Sequence, residues 1–401
     1  MTNPWPTTKL GDVIDLFDSQ RIPLNSRQRQ ERQGKFPYYG AQGIIDYIDD
    51  YIFDGRYILV AEDGENLNSK KLPLALFATG KFWVNNHAHI LRGKANIADD
   101  TYLLACLNNA DIKPFVTGAA QPKLSQGNLR LIEIPLPPLP IQQRIAGILS
   151  AYDELIENSQ RRIKLLEAMA RALYREWFVH FRFPGHENHP RVPSPLGEIP
   201  QGWEVKAVAE AFTISGGGTP SRKESAYWEG GTIQWYSPSD LTGAGTMFMD
   251  DSSDHITERG LEQSSARMFP PRSVMLTSRA TIGAIAINTH PACTNQGFIT
   301  CLPNKHVPLY FLFHWLTENV PTFQLMASGA TFKEISRGVF KTIDFLQPPI
   351  ELVEQFEAHA TPLAEQILSL QRQVNNLRRT RDLLLPRLLS GQIDVKTTPY
   401  A

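Results

Sequence analysis

The sequence predicts an α+β protein built twice over. Two β-rich domains are separated by two long antiparallel helices, and the halves are related by a pseudo-two-fold internal repeat. Three observations carry this reading. Residues 141–181 hold apolar side chains at three-and-four spacing over several turns, with no proline. Residues 351–390 repeat that pattern at the end of the chain. A set of residues in the first half recurs in the second at one offset of 211.

Residues 1–140 form the first expected domain. The stretch Tyr38-Tyr39-Gly40, Tyr47-Ile48 and Tyr51-Ile52-Phe53 is aromatic, β-branched and broken by glycine, which favours strands. Tyr57-Ile58-Leu59-Val60-Ala61 reads as a buried strand ending at the turn Glu62-Asp63-Gly64. Phe82-Trp83-Val84 and His89-Ile90-Leu91 read as further strands, and 102–108 as a short helix. The first helical region, 141–181, carries Ile145, Ile148, Leu149, Tyr152, Leu155, Ile156, Ile163, Leu166, Met169, Leu173 and Trp177 on one face, and arginine and lysine on the other. So one-sided a helix needs a partner helix. Residues 182–202, with five prolines, have the composition of an extended linker. A second β-rich domain spans 203–350, and a second helical region spans 351–396.

At the offset of 211, Gly118-Ala119 falls on Gly329-Ala330, Ser125 on Ser336, Gly127 on Gly338, and Pro137-Pro138 on Pro348-Pro349. The heptad series Ile145, Tyr152, Ser159, Leu166, Leu173 falls on Phe356, Leu363, Leu370, Leu377, Leu384. Earlier in each half the register drifts, with Asn86 near Asn295, and the first parts scarcely match. This is a duplication whose helices stayed alike while its domains diverged. Antiparallel helices would bury their seams against each other. About 30 residues of helix, about 45 Å, would hold the domains apart by roughly one turn of duplex DNA. Pro362 predicts a break in the second helical region and, by symmetry, one near Ser150 in the first.

The formal charge of −1 shows no global basic excess, though a local patch is enough for nucleic acid. Cys106, Cys293 and Cys301, without CxxC spacing, read as buried thiols in a reducing compartment. With no signal-like start and no membrane-length apolar run, the expected location is the cytoplasm, with no membrane contact. Chemistry is sought without success. The run Gly216-Gly217-Gly218 is followed by Thr219-Pro220, which blocks a cofactor-binding helix start, and no phosphate-binding GxxxxGK[ST] loop occurs. The acid–lysine pairs Asp111/Lys113, Glu204/Lys206 and Asp394/Lys396 are about as many as composition gives by chance. His87 and His89 flank Ala88 with no third ligand nearby, and strand alternation explains them as well as a metal does. No catalytic or metal residue is assigned.

The polar loops are the candidates for contact with DNA. In the first domain these are Arg21 and Arg27, from a basic segment that includes Arg29, Arg32 and Lys35, then Asn86, His87 and Lys123. The basic segment reads equally as a solvated surface loop. In the second domain the candidates are Thr219, Ser221, Arg222, Tyr236, Arg279 and Lys333. Taken singly, each of these loops is more often an ordinary turn.

Together the segments resemble the specificity subunit of type I restriction–modification systems over nearly the whole chain. The motifs that carry the resemblance are Gly217-Gly218-Thr219-Pro220-Ser221, Val274 through Gly283, Thr294-Asn295-Gln296-Gly297-Phe298 and Ser328-Gly329-Ala330-Thr331. To these add Pro348-Pro349 followed by Glu354-Gln355, Pro137-Pro138 followed by Gln142-Gln143-Arg144-Ile145, and Tyr38-Tyr39-Gly40-Ala41 through Gly64. The resemblance implies two target-recognition domains, each reading half of an asymmetric, interrupted sequence in double-stranded DNA. It implies helices that set the gap and dock two methylation subunits, with restriction (translocase and nuclease) subunits beyond them. S-adenosylmethionine, ATP and magnesium would then belong to those partners, and none to this chain. A helical scaffold whose β domains bind protein or carbohydrate is the alternative.

Overall fold

A computed structural model describes residues 5–118, 121–329 and 333–395. Ala119 and Ala330, Thr331 of the quoted motif, and Lys396 of the third acid–lysine pair lie outside the described residues. The chain forms two compact units, residues 1–157 with 376–401, and residues 158–375. The division falls inside the long helices, so each unit owns one β-rich portion and one stretch of each helix.

In the first unit the strands are β1 (Thr7–Lys9), β2 (Ile14–Leu16), β3 (Gln33–Gly40), β4 (Gly43–Ile48), β5 (Phe53–Ala61), β6 (Ala75–Val84), β7 (Ala88–Gly93) and β8 (Glu133–Pro135). The main sheet runs β2-β7-β5-β6-β3-β4, and β1 pairs with β8. Strand β5 is central because Ile58, Leu59, Val60 and Ala61 are buried on both faces. The helix Asp100–Asn109 starts where Asp99 accepts from the Tyr102 amide, and it buries Tyr102, Leu103, Cys106 and Leu107 in the core beside the sheet.

In the second unit the strands are β9 (Arg191–Ser194), β10 (Gly197–Pro200), β11 (Glu204–Ala207), β12 (Thr213–Gly216), β13 (Ile233–Tyr236), β14 (Phe248–Met249), β15 (Asp254–Ile256), β16 (Val274–Thr277), β17 (Ile285–Asn288), β18 (Ala292–Thr294), β19 (Phe298–Leu302) and β20 (Asp344–Gln347). Its sheet runs β12-β19-β16-β17-β14, with β15-β13-β18 beside it and β11 paired to β20. The order β12-β19-β16-β17 repeats β2-β7-β5-β6 of the first unit, and β11–β20 repeats β1–β8. A parallel pair also recurs, β3–β6 in one unit and β13–β18 in the other. The halves therefore share topology where their sequences scarcely match.

The linker expectation for 182–202 is corrected. β9 and β10 form an antiparallel hairpin turning at Gly197, whose φ of 92° favours glycine. Phe183, Ile199 and Trp203 are buried in the core of the second unit, with Phe183 and Trp203 rings 5.7 Å apart. Phe183 and Trp203 on either side of the prolines, with Ile199 among them, supply the apolar area that an open linker lacks.

The first long helix is Leu139–Tyr174, closed by a wide turn at Arg175–Val179, and the second is Ile350–Leu389. Neither breaks at Ser150 or Pro362, which corrects the second expectation. Pro362 and Ala358, whose carbonyl loses its helical donor, both lie on the exposed side. Phe356, Ala360, Ala364 and Ile367 on the opposite side are buried and hold the helix through the proline.

In the first unit Ile145, Ile148 and Leu149 share a core with Leu384, Leu385, Leu388 and Leu389. In the second, Leu166, Leu173 and Tyr174 share one with Phe356, Ala360 and Ala364. The start of one helix thus meets the end of the other, and the pair is antiparallel. Ile145 and Phe356 are fully buried and Leu370 nearly so, while Tyr152, Leu363 and Leu377 are half-buried. Leu155 and Met169, expected on the apolar face, are 48% and 56% exposed. The buried stripe passes through their neighbours Ile156 and Ala170.

Candidate nucleic-acid interface

In the first unit three turns converge beyond the end of β5. The Glu62 amide donates to the His87 carbonyl at 2.9 Å, the Leu124 amide to the Glu62 carbonyl at 2.8 Å, and the Gly64 amide to the Pro122 carbonyl at 3.1 Å. Thr117 and Lys123 exchange both backbone bonds, at 2.8 and 2.7 Å. Asn85 makes the third turn by accepting from the His87 amide at 2.8 Å.

The second unit repeats each of these bonds. The Ser278 amide donates to the Gly297 carbonyl at 2.8 Å, the Ile335 amide to the Ser278 carbonyl at 3.0 Å, and the Ala280 amide to the Lys333 carbonyl at 3.0 Å. Ser328 and Glu334 exchange bonds at 3.0 and 2.9 Å, and Asn295 accepts from the Gly297 amide at 2.8 Å. Gly64 and Ala280 even share a left-handed backbone, with φ of 104° and 61°. Asn85, rather than Asn86, is therefore the structural equivalent of Asn295, and Asn86 matches Gln296.

Side chains on the shared frame differ. In the first unit Lys123 Nζ lies 3.2 Å from Glu62, and His87 Nδ1 lies 2.6 Å from Asp63. In the second, Arg279 faces Glu334 at 3.8 Å, and the Thr219 hydroxyl donates to Gln296 Oε1 at 2.6 Å. Beneath the first rim, Asp18 and Glu62 tie His89 and Arg21 into a buried network. Burial pushes both carboxyls up. The hydrogen bonds and charges of His89, Arg21 and, for Glu62, Lys123 more than offset it, so both stay below the ordinary range.

The glycine loop of the second unit is held from below by two indoles. Trp235 Nε1 donates to the Gly218 carbonyl at 2.9 Å, and Trp228 Nε1 to the Ser221 carbonyl at 3.0 Å. A Cβ at Gly217 or Gly218 would strike Asn295 or Ser265, so only glycine lets the loop lie this close. Arg222 lies 3.6 Å over the Trp228 ring and pairs with Asp254 at 2.5 Å, with about half its side chain exposed.

The structure thus brings Asn86, His87 and Lys123 to one rim, and Thr219, Arg279 and Lys333 to the equivalent rim. Ser221 and Arg222 flank the second rim on the glycine loop. Two candidates are corrected by burial. Arg21 is 15% exposed, bonded to Glu62 at 2.7 Å and to the Ala88 carbonyl at 2.9 Å, so its charge supports the rim from within. Tyr236 is fully buried, its hydroxyl donating to Gln234 at 2.8 Å. Arg27 is exposed but apart, on the short helix Ser26–Glu31, paired with Glu31 at 3.1 Å. In the same basic segment Arg29 pairs with Asp46 and Arg32 with Asp49, so much of its charge is neutralised.

Sequence reasoning passed over Asp63 and Glu334 as contacts, and took Gln296 only as part of the polar segment 294–297. The available signal was the repeat of an Asn-led turn at 85–87 and 295–297. His89 proves to be a core residue, 1% exposed, between Asp18 and the Leu124 carbonyl. Among the described residues no group of three His, Cys, Asp or Glu could hold a metal. Glu204 and Lys206 pair with each other at 3.3 Å, and Asp111 accepts from the Lys113 amide. No described helix is long and apolar enough to cross a membrane.

Each unit also carries a cavity beside its helices. In the first it measures about 370 Å³ and is lined by Thr101, Leu104, Ala105, Asn108, Leu149 and Asp153, among others. In the second it measures about 560 Å³, with Tyr310, Phe313, His314, Thr317, Ala360 and Ala364 at the matching positions. The unit-two cavity includes His314, whose buried ring nitrogens have no partner among the described residues. Burial, helped by the charge of Arg171, pulls this imidazole down to about 4 and keeps it neutral.

Two divergent loop rims on one repeated frame, each set beside a pair of helices, define a duplicated recognition protein. Residues 2–168 and 200–359 each match the type I restriction modification DNA specificity domain, and the chain belongs to that family. It is 28% identical over 292 residues to the MjaIX specificity subunit of Methanocaldococcus jannaschii, covering 71% of this chain and 66% of that one. It is 37% identical over 147 residues to a putative specificity subunit of Haemophilus influenzae, 36% of this chain and 37% of the relative. Against the HindI specificity subunit of Haemophilus influenzae it is 22% identical, over 98% of this chain and 95% of the relative. The chain thus spans about two thirds or less of the first two relatives and nearly all of the third. The fold is shared with the crystal structure of a type I S subunit from M. genitalium, at a TM-score of 0.65, 16% identity, and coverage of 97% and 99%.

Proposed function

We propose that this chain is the DNA-reading subunit of a type I restriction–modification complex, in which each unit reads one half of an interrupted, asymmetric target. The observation that carries this reading is the repeated rim. One backbone frame appears twice with different exposed side chains, as two different half-sites require. Lysine and arginine on phosphates would fix register, while Asn86, Thr219, Arg279 and their neighbours would meet base edges in the major groove. Tyr236 drops out of that set, and Arg21 becomes a supporting residue.

The two helix-side cavities support a second part of the proposal, the docking of one methylation subunit at each unit. Repeated positions on repeated helices offer two similar sites, and two copies of one partner fit them. The seam residues Ile145, Tyr152, Leu166, Leu173, Phe356, Leu363, Leu370, Leu377 and Leu384 keep a structural role, and helix length sets the gap. In this reading S-adenosylmethionine, ATP and magnesium act on the methylation and restriction subunits, and the assembly works in the cytoplasm.

A gel shift of the chain with its methylation subunits tests the reading. Cognate duplex should be retained under an excess of random duplex that removes non-specific binding. Equal competition by random duplex, or retention of protein or glycan ligands in place of DNA, would favour the scaffold alternative.

A further inference from the structure

Resting on the DNA-reading function proposed above, we infer that the turn at 62–64 or 278–280, with the facing residue 123 or 334, is one base-reading station used twice with its charges inverted. The matching backbone bonds of the two rims align position 62 with 278, 63 with 279 and 123 with 334. In the first unit the turn carries the acid Asp63, held by His87 at 2.6 Å, and bridges by its backbone to the cation Lys123, whose own ion partner is Glu62 at 3.2 Å. In the second the turn carries the cation Arg279, and the facing residue is the acid Glu334.

The buried network requires an acid at Glu62, but the bridged positions 63 with 123 and 279 with 334 hold the same backbone with either sign, so the frame does not dictate the inversion there. Four of these side chains remain open to solvent, Lys123 at 55%, Arg279 at 48%, Glu334 at 44% and Asp63 at 28%, whereas Glu62 is 11% exposed and belongs to the buried network beneath the rim. A partly exposed pair at 3.8 Å contributes little to stability. Its donor–acceptor pattern matters more. A guanidinium donates to guanine O6 and N7, whereas a carboxylate accepts from the exocyclic amine of cytosine. The inverted stations therefore present opposite patterns to equivalent base pairs. Asn86 and Gln296 stand next to them at matching turn positions and are both amides, so they present the same pattern in both units. The station, more than the amide beside it, distinguishes the two half-sites.

The test uses the chain assembled with its methylation subunits and single-molecule mapping of methylated sites on genomic DNA. Glu334→Gln removes charge with little change of shape, and Arg279→Gln removes the charge and the two-pronged donor while keeping a polar side chain. Each should lower discrimination about ten-fold or more at one position of one half-site and leave the other half-site intact. The double exchange Arg279→Asp with Glu334→Lys should change the preferred base at that position. Wild-type discrimination in both neutral variants would overturn the inference, as would a loss spread over both half-sites, which marks a structural pair. A wild-type complex that methylates no interrupted sequence would instead overturn the DNA-reading function itself.

Discussion

The carboxylate of Asp18 and the imidazole of His89 meet at 2.6 Å, with 6% and 1% of their side chains exposed. The other ring nitrogen faces the Leu124 carbonyl at 2.8 Å, and Asp18 also accepts from the Ile90 amide at 2.8 Å. The ring is thus held at both nitrogens, by a carboxylate on one side and a backbone carbonyl on the other. This buried link fastens the start of β7 and the hairpin end at Leu124 to one residue, and the first rim rests on it.

Asp18→Asn should destabilise the protein by about 1–3 kcal/mol at neutral pH. The Asp18 carboxyl is held below its ordinary value, so its contribution is present above that value and is lost as pH falls through the lowered one. Urea unfolding of both proteins should show a gap at neutral pH that closes in acid. A gap that widens in acid would contradict the assignment.

Pro362→Ala should stabilise. The helix runs unbroken through Pro362, which is exposed. Alanine restores a helical donor and removes a ring clash worth up to about 3 kcal/mol. A lower melting temperature would show that the proline shapes the helix instead.

Phe356→Ala should cost about 3–5 kcal/mol, because the ring is fully buried among Tyr174, Trp177, Phe178 and Phe311. Leu165→Ala, at 65% exposure, should stay within about 0.5 kcal/mol. Similar effects from both, measured by thermal unfolding, would refute the seam as drawn.

Glu357 accepts from the Phe311 amide at 2.6 Å at the start of the helix Leu309–Glu318, and burial pushes its carboxyl up to about 7. A raised carboxyl favours the folded state most below the ordinary value of 4.5, and that advantage is lost as pH rises through 7. Stability should fall between those values, and Glu357→Gln should flatten the slope. An unchanged slope in the variant would place the titrating group elsewhere.

The helices and the repeat were legible because heptad spacing and a constant offset survive in the residues themselves. The common sheet order was not, because topology is held by backbone pairing that many side chains satisfy. Pro362 misled because its local cost is overridden by packing on the far face of the helix. The prolines of 182–202 masked a packed segment whose signal was Phe183, Ile199 and the adjoining Trp203. At the rims, cationic and polar character pointed to the right loops, but burial separated Tyr236 and Arg21 from their neighbours. The acids Asp63 and Glu334 became visible as candidates only once the shared frame aligned them with Arg279 and Lys123.

The central claim is that two units read two half-sites across a gap. Single-molecule mapping of genomic methylation, with and without this gene and its methylation partner, tests it most directly. The account predicts a gene-dependent, asymmetric motif in two specified parts separated by unspecified bases. A continuous motif, or no motif that depends on the gene, would contradict it.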